Sequence, residues 1–149
     1  MRKSLFFLLT TVLLSCAPEG KQYTLEAEIS PGPEAWQVKG SSNLPDQSQI
    51  LVTLLDPKFE GNYSKNVVVQ EFGMIKDQAF SLKLKPLKPI SAGSYQVRLS
   101  FSPNAYDWSG GKVTAEVGAK GENLHGKYVF VEDGVNKLVN TLKVEYKGK

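Results

Sequence analysis

Cysteine and histidine are almost missing from this chain: its 149 residues include one of each, Cys16 and His125. A single cysteine excludes an internal disulfide framework, so a packed core has to hold the folded part together. One histidine with no spare cysteine cannot begin a metal site. Long hydrophobic runs are missing too. The longest, Leu5 to Leu14, is about half of the roughly 20 residues a membrane-spanning helix needs. Neither sign of charge dominates, with 18 Lys and Arg against 15 Asp and Glu. Near-balanced charge without clustered cations argues against nucleic acid as a partner. The chain shows no amphipathic helix of useful length, no internal repeat and no low-complexity tract, which argues against a second domain.

What is present begins at the N-terminal side. Arg2 and Lys3 precede the apolar run, and Leu13-Leu14-Ser15-Cys16 closes it before the polar Ala17-Pro18-Glu19-Gly20-Lys21. A short basic segment, an apolar segment of about ten residues and a small residue before a cut are the parts of a secretory signal peptide. Cleavage after Ser15 would leave Cys16 as the first residue. Leu13-Leu14-Ser15-Cys16 resembles the lipobox of bacterial lipoproteins. Leu13 and Ser15 match that pattern, and Leu14 is bulkier than the Ala, Ser or Thr usual at its position. The resemblance implies that the Cys16 thiol carries a diacylglycerol and that the freed amine is often acylated as well. Each buried methylene contributes about 0.8 kcal/mol, so two or more chains anchor a protein stably where one does so only marginally. Ala17, rather than Asp, follows the cysteine; by the same resemblance this favours the outer over the inner membrane of a bacterial envelope.

The expected organisation is a signal peptide over 1–15, a lipidated tether over 16–21 and one domain over 22–149. Removing residues 1–15 leaves 134, the size of a single domain. It also removes Arg2 and Lys3 and no acid, so the net charge falls from +3 to +1.

Strand patterns fill the domain. Tyr23, Leu25, Ala27 and Ile29 alternate with Thr24, Glu26 and Glu28, as a half-buried strand requires. Ser30-Pro31-Gly32-Pro33 breaks that strand, and Trp36 and Val38 start a second, predicted to end at Gly40. Pro45-Asp46 centres a turn, and Ile50 to Leu55 is apolar on both faces except Thr53, which suits a strand covered on both sides. Residues 58–66 are polar and irregular. Val67 to Phe72 reads as a strand, and Phe80, Leu82 and Leu84 alternate with Ser81, Lys83 and Lys85 in the next. Tyr95, Val97, Leu99 and Phe101 form the clearest alternation. Ser102-Pro103-Asn104 suits the start of a single helical turn that Gly110-Gly111 would end. Val113, Ala115 and Val117 read as a further strand, followed by Tyr128 to Val131 and Leu138 to Tyr146. Eight or nine short strands with a turn signal every ten or so residues predict an all-β sandwich or barrel.

Two segments carry a fold resemblance. Val38 to Asp46 followed by Ile50-Leu51-Val52-Thr53-Leu54 resembles the opening hairpin of bacterial immunoglobulin-like modules. Ala92-Gly93-Ser94-Tyr95-Gln96-Val97 resembles a late strand of immunoglobulin-like and transthyretin-like sandwiches. The expected fold is therefore a single immunoglobulin-like or transthyretin-like sandwich of about seven to nine strands, whose strand order the pattern leaves open.

Candidate chemistry is sparse. His125 sits in a loop-like Gly121-Glu122-Asn123-Leu124-His125-Gly126, no Gly-x-Ser-x-Gly elbow exists, and no calcium-loop or Walker spacing appears. Glu132-Asp133 and the pair Asp107 and Glu116 are the carboxylates to weigh for glycoside hydrolysis, but Glu132-Asp133-Gly134 reads more plainly as a turn. The sequence implies no catalytic residue, metal or cofactor. One loop stands apart: Tyr106, Asp107 and Trp108, beside Gly110-Gly111, suit stacking on a sugar ring or anchoring a protein. The plainer expectation is that Tyr106 and Trp108 fold back as a plug over the open end of the sandwich. Lys83, Lys85 and Lys88 beside Pro86 and Pro89 read as protection of an edge strand. The functional expectation is a lipid-anchored envelope protein that binds or scaffolds another envelope component, a protein partner first, without catalysis. The alternative is a carbohydrate- or peptidoglycan-binding module working through the Tyr106–Trp108 loop.

Overall fold

Alternation of apolar and polar side chains sorts this chain into strands that each bury one face. The computed structural model describes residues 20–103 and 108–148. Among them the strands are β1 (Leu25–Ser30), β2 (Trp36–Ser42), β3 (Gln49–Leu55), β4 (Val67–Met74), β5 (Ala79–Leu84), β6 (Gly93–Phe101), β7 (Val129–Glu132) and β8 (Val135–Tyr146). Two short helices, α1 (Tyr63–Asn66) and α2 (Lys112–Val117), and a 3-10 turn over Pro57–Phe59 complete the set. The expected signal peptide, Cys16 and most of the expected tether lie outside the described residues.

The strands form two antiparallel sheets, one in the order β1-β2-β5 and one in the order β4-β3-β6-β8-β7. Their inner faces close on one core. β6 buries Tyr95, Val97, Leu99 and Phe101, facing Leu25, Trp36, Val38, Phe80 and Leu84 of the smaller sheet. Trp36, fully buried, packs edge-on to Tyr95 with ring centroids 5.5 Å apart and lies 5.7 Å from Tyr146. Asn140, buried in β8, donates from Nδ2 to the Leu25 carbonyl at 2.7 Å and so ties the two sheets together. The run Ile50 to Leu55 is an interior strand of the larger sheet, between β4 and β6, with Val52, Thr53 and Leu54 all buried. The lysine-bearing β5 is an edge strand. Asp133 (φ 52°) and Gly134 (φ 74°) make the tight turn between β7 and β8; two successive left-handed residues match the twist of the strands they join.

Four local expectations are corrected. β2 does not stop at Gly40 but continues to Ser42, because Gly40 pairs with both Ala27 and Phe80, and the Phe80 ring covers the place of a side chain. The stretch 58–66 is not wholly irregular: Asn62 caps α1 through its side chain, and Asp56 does the same for the 3-10 turn. Val113, Ala115 and Val117 are helix, not strand. Val113 and Val117 are the buried residues of α2, a four-residue spacing that puts both on one helix face, while Ala115 is exposed. Ser109 Oγ accepts from the Val113 N–H at 2.9 Å, and the Thr114 hydroxyl donates to the Gly111 carbonyl at 3.1 Å. The glycines Gly110 and Gly111 precede the helix, where the sequence reading has them ending one. Of Ser102-Pro103-Asn104, the first two are not helical and Asn104 lies outside the described residues.

Because successive strands reverse direction, the molecule has two ends. At one, the chain enters through Gly20 to Tyr23, where Gln22 bridges His125 and the Tyr23 N–H donates to the His125 carbonyl at 2.8 Å. Residues 102–103 and 108–128 and the β7–β8 turn lie at this same end. The far end carries the loops 31–35, 56–66 and 85–92 and the residues after Tyr146.

Candidate functional site

Of the residues singled out from sequence, Cys16, Tyr106 and Asp107 lie outside the described residues. Trp108 is described, and it is not a plug: its side chain is 69% exposed. The end of the sandwich is closed by Val113 and Val117 of α2, with Leu124, all buried in the core cluster. Glycine supplies no steric pressure to fold the indole inward, since Gly110 (φ 66°) and Gly111 (φ 91°) turn the chain away with open space around them.

Around this entry end several charged groups are paired. Lys21 Nζ lies 2.7 Å from Glu116 Oε1, and the Tyr23 hydroxyl donates to the same oxygen at 3.3 Å. Burial, then the neighbouring Glu116 carboxylate, pushes the Tyr23 phenol above its ordinary value. The Tyr128 hydroxyl donates to Glu26, and Lys127 lies 3.4 Å from the same carboxylate. The hydrogen bond first, then Lys127, holds Glu26 below the usual carboxylate range. Glu132 pairs with Lys137 across the β7–β8 hairpin. Glu116 and Glu132, weighed as hydrolytic carboxylates, are thus engaged in surface ion pairs. His125 is an exposed loop residue whose ring occupies the space a side chain on Gly20 would need. Among the described residues no group of three His, Cys, Asp or Glu is placed to hold a metal ion, and no helix is long and apolar enough to cross a membrane.

The sequence reading missed a groove at the far end. It has a volume of about 480 Å³ and runs between Pro33-Glu34 and Pro86-Leu87-Lys88-Pro89-Ile90, with Tyr146 also in its lining. Tyr146 is buried and leans on Trp36, so this wall of the groove is part of the core. Leu87 is 98% exposed at the rim. Pro86 and Pro89 fix the backbone on either side of it, holding an apolar side chain in water at little further entropic cost. Lys88 lines the groove and Lys85 and Lys147 adjoin lining residues, against Glu34 in the lining and Glu145 adjoining it. The signal was available in Lys85-Pro86-Leu87-Lys88-Pro89, where a leucine sits between two Lys-Pro pairs.

Comparison of the chain with protein-family models finds no match, and comparison with curated proteins finds none either.

Proposed function

We propose that this chain is a lipid-anchored bacterial envelope protein whose immunoglobulin-like sandwich binds another envelope protein without catalysis. The lipobox-like Leu13-Leu14-Ser15-Cys16 supports the anchor. The strand order supports the immunoglobulin-like reading: the first strand pairs with the second and the second with the fifth, while the third pairs with the sixth, which pairs with the last. The observation that carries the binding role is the far-end groove, with Leu87 presented between the Lys85-Pro86 and Lys88-Pro89 pairs. Its occupant would be an extended segment of an envelope protein that offers an apolar side chain and acidic neighbours. Such a site, opposite the entry of the tether, faces away from the membrane, and confinement by the lipid raises the local concentration enough for a weak contact to work.

Cross-linking in intact cells tests this reading. The acylated protein should capture one stoichiometric acidic partner. Leu87→Asp combined with Lys88→Glu should lose that partner with the melting temperature unchanged, because both side chains are exposed. Undiminished capture by the double variant would remove the groove from the proposal. Cys16→Ser should move the protein to the soluble fraction, and a variant that stayed with the membranes would refute the anchor.

A second reading, a peptidoglycan- or carbohydrate-binding module, draws support from the exposed indole of Trp108. Replacing Tyr106 and Trp108 by Ala would then abolish glycan retention and leave the fold intact.

A further inference from the structure

We propose that the entry end of the domain is a second membrane contact, in which Trp108 and the hairpin residues Phe130 and Val131 enter the headgroup layer. The inference rests on the reading of Cys16 as the lipid-bearing residue. Four Cα steps separate Cys16 from Gly20, so the tether spans about 14 Å at full stretch. Gly20 is already against the fold, next to the His125 ring, and Gln22 and Tyr23 are bonded to the same loop. No slack remains beyond that point for the domain to move away from the lipid.

The β7–β8 hairpin reaches in the same direction. β6 ends at Phe101, opposite Leu138, while β8 begins three residues earlier at Val135, opposite Glu132. At about 3.3 Å per residue the ribbon overhangs the sheet by about 10 Å before its turn. That reach is comparable to the tether's, and a headgroup layer is itself about 5–7 Å deep. The anchor therefore keeps the hairpin within reach of the lipids. On this overhang Phe130 is 54% and Val131 62% exposed. Adjacent strand residues point to opposite faces, so the ribbon offers apolar surface on both sides. An edge ribbon in water gains nothing from that and risks pairing with other chains. Trp108 adds an indole, the side chain most at home where apolar and polar layers meet.

The charges around the patch do not favour either sign: Lys112, Lys120, Lys127 and Lys137 lie at this end with Glu122, Glu132 and Asp133. Insertion of apolar groups, not attraction of a polybasic surface, would drive the contact, so it should depend little on the anionic lipid fraction.

Two tryptophans make the test direct, because Trp36 is fully buried and silent to quenchers while Trp108 is 69% exposed. The acylated protein is bound to phosphatidylethanolamine–phosphatidylglycerol vesicles carrying lipids brominated near the headgroup. Emission from Trp108 should shift to the blue, fall with the brominated lipid and lose accessibility to acrylamide severalfold relative to Cys16→Ser in solution. Phe130→Trp placed in a Trp108→Phe background should behave alike. Vesicle-bound, acylated protein whose tryptophans at both positions stay open to acrylamide would overturn this inference and leave the anchor standing. Protein found unacylated by mass spectrometry would overturn both. A response of Trp108 to peptidoglycan fragments or to a captured protein, with none to vesicles, would give the indole to that ligand instead.

Discussion

Gly40 shows how tightly single positions are drawn. It sits mid-strand in β2, and a Cβ there would run into the Phe80 ring and the Glu26 carbonyl. Gly40→Ala should therefore lower stability by about 1–3 kcal/mol in urea unfolding, the usual cost of forcing extra volume into a packed site. Asn140 is the polar counterpart, a buried amide whose Nδ2 spans the sandwich to the Leu25 carbonyl. Asn140→Leu removes that bond, and a loss of about 1–2 kcal/mol with an unchanged denaturant slope is expected. Neither constraint is legible in the sequence. A glycine after Trp36-Gln37-Val38-Lys39 reads as a strand end, since sequence carries the freedom of glycine but not the ring that lies over it.

Among the elements, legibility followed how locally each is determined. β3, β5 and β6 were evident because their alternation or continuous apolar run is set by neighbours two residues away. Helix α2 was not, because Val113, Ala115 and Val117 satisfy a period of two as well as a four-residue spacing. Tertiary contacts decide it: the loop closes through Ser109, and α2 caps the core end where no strand partner is offered. Val117→Asp should unseat this one element, because an unpaired charge cannot stay buried there. Hydrogen exchange should then quicken across 112–117 and at the Tyr23 amide, while β3, β6 and β8 stay protected. Uniform loss of protection would show that α2 belongs to the global folding unit. The far-end groove escaped the sequence reading for a different reason. Its walls come from loops about fifty residues apart and from Tyr146, and only the strand order brings them together.

For the whole molecule, two sets of shifts bound the pH range of full stability. Burial raises the phenols of Tyr23 and Tyr95 above 10.0. Their neutral forms favour the folded state, so this contribution is complete below that ordinary value and is lost as pH climbs through the raised ones. Glu26 behaves oppositely: held low by Tyr128 and Lys127, it contributes above its ordinary 4.5, and the contribution disappears as pH falls through the lowered value. Melting temperature should accordingly drop above pH 10 as tyrosinate absorbance rises, and Tyr23→Phe should blunt that drop. An identical alkaline decline in the variant would clear Tyr23 of the effect. The route of the chain into the fold also sets how the molecule carries load. From the bridge at Gln22 the backbone passes into β1, which pairs with β2 from Leu25 opposite Ser42 to Ser30 opposite Gln37. Under the proposed lipid anchor at Cys16, a pull between that residue and a partner held at the far end would act along that ladder. It shears all of its rungs at once and does not peel them one by one, so the strand nearest the anchor is also the one arranged to resist being drawn out.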